Sequence, residues 1–273
     1  MSESDTLRIR SNIHTHTTFS DGKHTPDEMA QAAIAKGFET LGISDHSFTF
    51  FDVGYCLPRE REPAYREAVL ALKEAYRGRL EICCGMELDR FSDPAITEGL
   101  DYFICGVHYV YANGVYHPVD NCAAATERAV REGCGGDESK YVRLYYEAVA
   151  DCIALKPLYV AHLDLLTKFS TIDETSAFYR KTALETLDAL LDAGMPIEVN
   201  TGAMARGAKD IPYPSFFLLR RVAERNGSVI FGSDCHDRAK LDYAFADAME
   251  LVKAAGVRRI VEYRGGALQP AEP

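Results

Sequence analysis

Six of the chain's eight histidines stand at or just past the end of a short apolar run, and no other feature constrains the fold so strongly. His14 and His16 close the run from Ile9 to Ile13. His46 closes Thr40-Leu-Gly-Ile, His108 closes Tyr102-Phe-Ile-Cys-Gly-Val, His162 closes Leu158-Tyr-Val-Ala, and His236 follows Val229-Ile-Phe-Gly-Ser. Three carboxylates are placed alike: Asp21 five residues after His16, Glu87 after Leu80-Glu-Ile-Cys-Cys-Gly-Met, and Asp234 two residues before His236. Short apolar runs bounded in this way read as strands of a buried parallel sheet. Imidazoles and carboxylates aimed inward at strand ends are costly unless something binds them. A metal cluster accounts for all nine at once, through nitrogen and oxygen ligands of the kind divalent ions take.

Helix-like segments separate these runs. One begins at Pro26 behind Thr25, an N-cap with an acidic first turn, and ends at Gly37. Others cover Arg59 to Tyr76, Ser139 to Ala154, Glu174 to Ala193, Pro214 to Asn226 and Asp242 to Ala255. The strands end near His14, His46, Glu87, His108, His162, Asn200 and Asp234, which makes seven βα repeats, and Arg258 to Tyr263 is expected to add a last, outer strand. An open doubly wound sheet gathers its ligands at one crevice. Here chemistry stands at the C-terminal end of nearly every strand, as in a closed or nearly closed barrel. The expected architecture is a single α/β domain over residues 1–273, a distorted seven-stranded (β/α) barrel. The stretch from Asn113 to Asp137, with Gly114, Pro118 and Gly133-Cys-Gly-Gly, reads as a long lid-like loop over the site.

The formal net charge of −11 argues against a nucleic-acid partner, which needs basic patches to displace counterions. It leaves room for a small anionic substrate, because a few local cations dominate one pocket. No apolar stretch reaches the roughly 20 residues that cross a bilayer, so no membrane partner is expected. Met1-Ser-Glu-Ser-Asp has neither the basic region nor the apolar segment of a secretory signal, and the expected compartment is the cytoplasm. The eight cysteines contain no C-x-x-C pair. Cys83, Cys84 and Cys105 read as small buried hydrophobes, and Cys235, between Asp234 and His236, is expected to face the core.

The segments His14-Thr-His16-Thr-Thr-Phe-Ser20-Asp21-Gly22, Ile43-Ser-Asp45-His46, Gly85-Met-Glu87, Val107-His108, Ala161-His162-Leu-Asp164 and Gly232-Ser-Asp234-Cys-His236 resemble, in order, the motifs of the polymerase-and-histidinol-phosphatase (PHP) family. The resemblance implies a distorted seven-stranded barrel with a trinuclear metal site. By motif, His14, His16, Glu87 and Asp234 would hold one divalent ion. Glu87 would bridge to a second held by His108 and His162, and Asp21, His46 and His236 would hold the third. The donor set suits zinc, iron or manganese without choosing among them. Asp45 and Asp164 are expected to orient His46 and His162.

The reaction implied is hydrolysis of a phosphate monoester by a metal-bridging hydroxide. Within the family the resemblance is strongest to the histidinol-phosphate phosphatases of histidine biosynthesis. It rests on Val107-His108-Tyr-Val with Gly114-Val-Tyr-His-Pro-Val-Asp120, on Glu198-Val-Asn200-Thr-Gly202-Ala-Met-Ala-Arg206, where the family usually has Ser at the place of Gly202, and on Tyr213-Pro-Ser215. Asp234, His236 and Arg206 are the candidate catalytic residues. A metal-bound water is an alternative to Asp234 as the proton source for the leaving alkoxide. Arg206 is the expected phosphate contact, since a guanidinium matches phosphate in a bidentate way. Lys168 is a second cation candidate, and His117 and Asp120 are candidates for the substrate's amine or imidazole. Three other readings stand beside this one: a phosphoesterase acting on nucleotides or oligonucleotide ends, a metal-binding module without catalysis, and a hydrolase of C–N bonds.

Overall fold

The computed structural model describes residues 7–272. It opens with β1 (Ser11–Asn12), α1 (Pro26–Ala35), β2 (Thr40–Ile43), α2 (Glu62–Ala75), β3 (Glu81–Cys84) and β4 (Glu87–Asp89). The middle of the chain supplies β5 (Ile104–Gly106), β6 (Tyr109–Ala112), β7 (Val115–Pro118), α3 (Ala123–Arg128), α4 (Glu138–Asp151) and α5 (Ala177–Asp192). It ends with β8 (Ile197–Asn200), α6 (Gly202–Ala205), α7 (Phe216–Glu224), β9 (Ser228–Gly232), α8 (Phe245–Ala255), β10 (Arg259–Arg264) and β11 (Ala267–Pro270).

Parallel pairing runs β1-β2-β3, then β4-β5, then β8-β9-β10. Isolated parallel bridges link the pieces: His46 to Glu87, Cys105 to Val160, and Thr15 to Cys235. The wall is therefore a distorted barrel of short ladders, with the run from Leu158 to Ala161 joined to the β5 segment by the backbone hydrogen bonds Leu158 N to Phe103 O, Cys105 N to Tyr159 O and Ala161 N to Cys105 O without forming a regular strand. β10 corrects the expectation of an outer strand. It pairs with β9, and its Glu262 Oε1 accepts from Ser11 N at 3.0 Å while Ser11 Oγ donates to Tyr263 O at 2.8 Å, so it seals the base of the wall against β1.

The helices lie outside and are set by local signals. Thr25 and Glu28 form a reciprocal capping box at the start of α1, with Pro26 in the first turn and Met29, Ala30 and Ala33 buried. Asp137 and Ser176 cap α4 and α5 through Lys140 N and Tyr179 N. A small apolar cluster of Ile13, Cys83, Ile104, Tyr159, Ala161 and Ile230 contains one or more residues from most wall segments and floors the barrel beneath the histidines. Among the described residues no helix is long and apolar enough to cross a membrane.

The stretch from 113 to 137 is not a long loop. Asn113 and Gly114, at φ 50° and 78°, make the two-residue turn of the antiparallel β6–β7 hairpin, and α3 with a wide helical turn over Ala129–Gly133 takes up most of the rest. Only its Pro118-to-Asn121 portion reaches the mouth of the site, through Pro118, Asp120 and Asn121.

Candidate metal centre

All nine expected donors converge at the C-terminal rim of the barrel, beside a cavity of about 570 Å³. Glu87, at the start of β4, is their hub. Its Oε1 lies 2.8 Å from His162 Nε2 and 3.4 Å from His108 Nε2, and its Oε2 lies 2.8 Å from His46 Nδ1, 3.4 Å from His14 Nε2 and 3.6 Å from His16 Nε2. Asp234 is the second junction, with Oδ1 3.3 Å from His16 Nε2, 3.8 Å from His14 Nε2 and 3.7 Å from His236 Nδ1. Asp21 Oδ1 stands 3.1 Å from His236 Nε2 and 3.8 Å from His46 Nε2.

Four groups of donors are close enough to share an ion: His14-His16-Asp234, His14-Glu87-His162, His46-Glu87-His108 and His16-Asp21-His46-His236. These groups cut across the sets expected from the motifs: His162 falls with His14 and His108 with His46, and His14, His16, His46 and Glu87 each belong to two groups. His162 and Asp234 reach inward from left-handed backbone conformations, φ 32° and 47°. Such strain costs on the order of 1–3 kcal/mol per residue and persists where the surroundings demand it.

Burial disfavours charge on His14, yet Glu198, Glu87 and Asp234 outweigh it and raise its pKa well above the usual imidazole value. His16 goes the other way, lowered to about 3 by burial and by the imidazoles of His46 and His236. Burial raises the Glu87 carboxyl, but His108, His46 and His14 more than offset it and hold it well below its normal range. The same balance, with Arg206 as the main cation, holds Asp234 ionised.

The residues fit divalent cations. His14 Nε2, both ring nitrogens of His16, and His162 Nδ1 are buried with no hydrogen-bond partner. An orphaned buried polar atom costs roughly 1–3 kcal/mol, and ligation relieves it. Two ring orientations are fixed from behind. Glu198 Oε1 accepts from His14 Nδ1 at 2.6 Å and Asp89 Oδ2 accepts from His108 Nδ1 at 3.2 Å, leaving each Nε2 to face inward.

Glu198 and Asp89 are the residues sequence reasoning missed. The expected orienting pair, Asp45 and Asp164, does something else. Asp45 accepts from Thr17 N and Oγ1 and from Ser20 N, shaping the loop between His16 and Asp21. Asp164 accepts from Ser215 N at 2.8 Å and Oγ at 2.6 Å, tying down the segment after Tyr213. Neither touches the histidine assigned to it, because each side chain turns toward the loop amides that need an acceptor.

Arg206, the C-cap of α6, enters the same cavity. Its Nη2 donates to Asp234 Oδ2 at 2.8 Å and its Nη1 to the Asp234 carbonyl at 3.1 Å. Gly202 backs this pair: a side chain there would begin 2.7 Å from Asp234 Oδ2 and 2.8 Å from Arg206 Nη2. Lys168 also lines the cavity, donating to Asp120 Oδ2 at 2.9 Å, so the two neutralise each other. His117 does not line it. Its ring is buried under Gly133, with Nε2 3.3 Å from the Ala112 carbonyl.

A parallel barrel with imidazoles and carboxylates gathered at its C-terminal rim defines a metal-dependent hydrolase built around a multi-metal site. Residues 12–202 match the PHP domain, and the chain belongs to that family. It is 30% identical over 269 residues to a probable histidinol-phosphatase of Deinococcus radiodurans, covering 94% of this chain and 97% of the relative. It is 25% identical over 261 residues to the histidinol-phosphatase of Bacillus subtilis, covering 87% and 97%. The fold is shared with the histidinol phosphate phosphatase of Lactococcus lactis, solved with zinc, L-histidinol and phosphate, at a TM-score of 0.71 and 22% identity, covering 95% of this chain and 98% of that one.

Proposed function

We propose that the protein is a metal-dependent phosphatase that hydrolyses L-histidinol phosphate to L-histidinol and phosphate, a step of histidine biosynthesis. The observation that carries this reading is the hub at Glu87, where one buried carboxylate lies within 3.6 Å of five imidazoles beside a cavity that also holds Arg206. The two curated relatives, matched over nearly their whole length, bear the name of that activity.

Bound divalent cations supply a water-derived nucleophile at neutral pH and neutralise charge on the phosphoryl oxygens. The chain's own residues do the rest. His14, His16, Glu87 and Asp234 would hold one ion, His108 and His162 a second beside Glu87, and Asp21, His46 and His236 a third at the more exposed side, all nine donors lying in the clustered groups described above. Arg206 offers its guanidinium fork to the phosphate, and its tie to Asp234 keeps that fork beside the ligands. Glu198 and Asp89 hold two rings so that ligation needs no reorientation.

Phosphate release from the metal-loaded protein over histidinol phosphate, nucleoside monophosphates and short oligonucleotides tests the reading. Histidinol phosphate is expected to give the highest kcat/KM. A clear preference for a nucleotide or an oligonucleotide end removes this substrate and leaves a phosphoesterase of the same fold.

A further inference from the structure

Among the described residues five aspartates line the cavity, and four of them already face a cationic or imidazole partner. Asp21 meets His236 at 3.1 Å, Asp234 meets Arg206 at 2.8 Å, Asp120 meets Lys168 at 2.9 Å, and Asp237 meets Lys23 at 3.3 Å. Asp52 has no such partner. Its Oδ1 accepts from Gly54 N at 3.0 Å and its Oδ2 from the Tyr109 hydroxyl. A carboxylate has about four acceptor positions, so capacity is left on the cavity side. A half-buried negative charge without a counter-charge is unfavourable, and here it is held in place from two sides.

The surroundings suit an organic cation. Tyr109 is buried, and burial together with Asp52 keeps its phenol protonated and donating. Tyr55, on the same loop as Asp52, sets its ring 5.0 Å from that of His46 and 6.2 Å from that of Tyr109. This wall stands by β2 and β5, next to His46 and His108. Arg206 stands across the rim, by β8 and β9, next to Asp234 and His236. The cavity is therefore bipolar, with a guanidinium by β8 and β9 and, on the loop after β2, a carboxylate without a cationic partner that is hydrogen-bonded to Tyr109, with Tyr55 lining the cavity beside them.

We propose that Asp52, braced by Tyr109, binds the substrate's ammonium group in the cavity that Tyr55 also lines, while Arg206 holds its phosphate. The inference rests on the phosphatase reading and sharpens it: the site selects phosphate monoesters that carry an amine. It also moves the amine away from Asp120, which is engaged by Lys168, and from His117, which lies outside the cavity.

The test compares histidinol phosphate with its deamino analogue, identical except for hydrogen in place of the amino group, on the metal-loaded wild type, Asp52→Asn and Tyr109→Phe. Calorimetric binding of L-histidinol is a second readout. The wild type is expected to favour histidinol phosphate. Asp52→Asn is expected to cut the kcat/KM ratio between the two esters by about tenfold or more, chiefly through KM, and to weaken L-histidinol binding alongside. Tyr109→Phe, which leaves Asp52 in place but unbraced, moves the ratio the same way by less, and it carries the test if Asp52→Asn does not fold. Equal losses on both esters, or a wild type that does not distinguish them, overturns the ammonium site and leaves the phosphatase standing. Absence of turnover on both esters overturns the phosphatase reading and this inference with it.

Discussion

His14 Nδ1 and Glu198 Oε1 lie 2.6 Å apart with both side chains fully buried, and the same carboxylate accepts from His162 N at 2.8 Å through its other oxygen. Asn200 Nδ2 donates to that oxygen as well, at 3.0 Å. One glutamate therefore sets a ring orientation on β1's exit and the backbone turn at His162, in the run that follows α4. Glu198→Gln keeps the shape and removes the charge. It is expected to weaken metal affinity by about 10–100-fold while leaving the fold intact, measured by metal titration alongside circular dichroism. His16→Ala, which deletes a donor outright, is expected to lose more bound metal and most turnover. Unchanged metal affinity in Glu198→Gln contradicts its orienting role.

Gly202 allows Arg206 to fold over Asp234, since a β-carbon there would meet both side chains at under 3 Å. Gly202→Ala is expected to displace the guanidinium and lower kcat/KM by about tenfold to a hundredfold, with little change in melting temperature. Steady-state kinetics with a thermal scan checks it. A variant with full activity places the working position of Arg206 elsewhere.

The positions of eight of the nine donors were legible because each stands at the end of an apolar run too short to be a helix, and parallel strands all present their ends to one rim; Asp21 was legible only from its place in the His14-to-Gly22 motif. The orienting carboxylates were not, although a signal existed. Asp89 and Glu198 interrupt buried strands, Leu88-Asp89 and Ile197-Glu198-Val199, where a charge is costly unless it has a partner. Asp45 and Asp164 misled because adjacency to a histidine in sequence says nothing of where the carboxylate turns. The hairpin at Asn113-Gly114 was readable from the turn pair between Tyr109-Val-Tyr-Ala and Val115-Tyr-His-Pro. The glycines and Pro118 instead drew the reading toward a loop. Asp52 carried no signal at all, since its meaning comes from the pairing of the other cavity aspartates.

Seven of the eight cysteines are buried and Cys122 alone is exposed. Burial pushes the Cys235 and Cys83 thiols up to about 12 and Cys84 up to about 11, so they stay protonated and unreactive at neutral pH. Native protein is expected to show one fast thiol toward an alkylating reagent, absent in Cys122→Ser, with the rest reacting only on unfolding. Rapid labelling of Cys235 in the native state, read by mass spectrometry, contradicts the closed packing at that end of β9.

The central claim is that nine side chains distant in sequence cage several divalent cations at one mouth of the barrel. Elemental analysis of gently purified protein tests it most directly. The account predicts several equivalents of transition metal per chain, reduced in His16→Ala; a wild type with no bound metal at full phosphatase activity contradicts it.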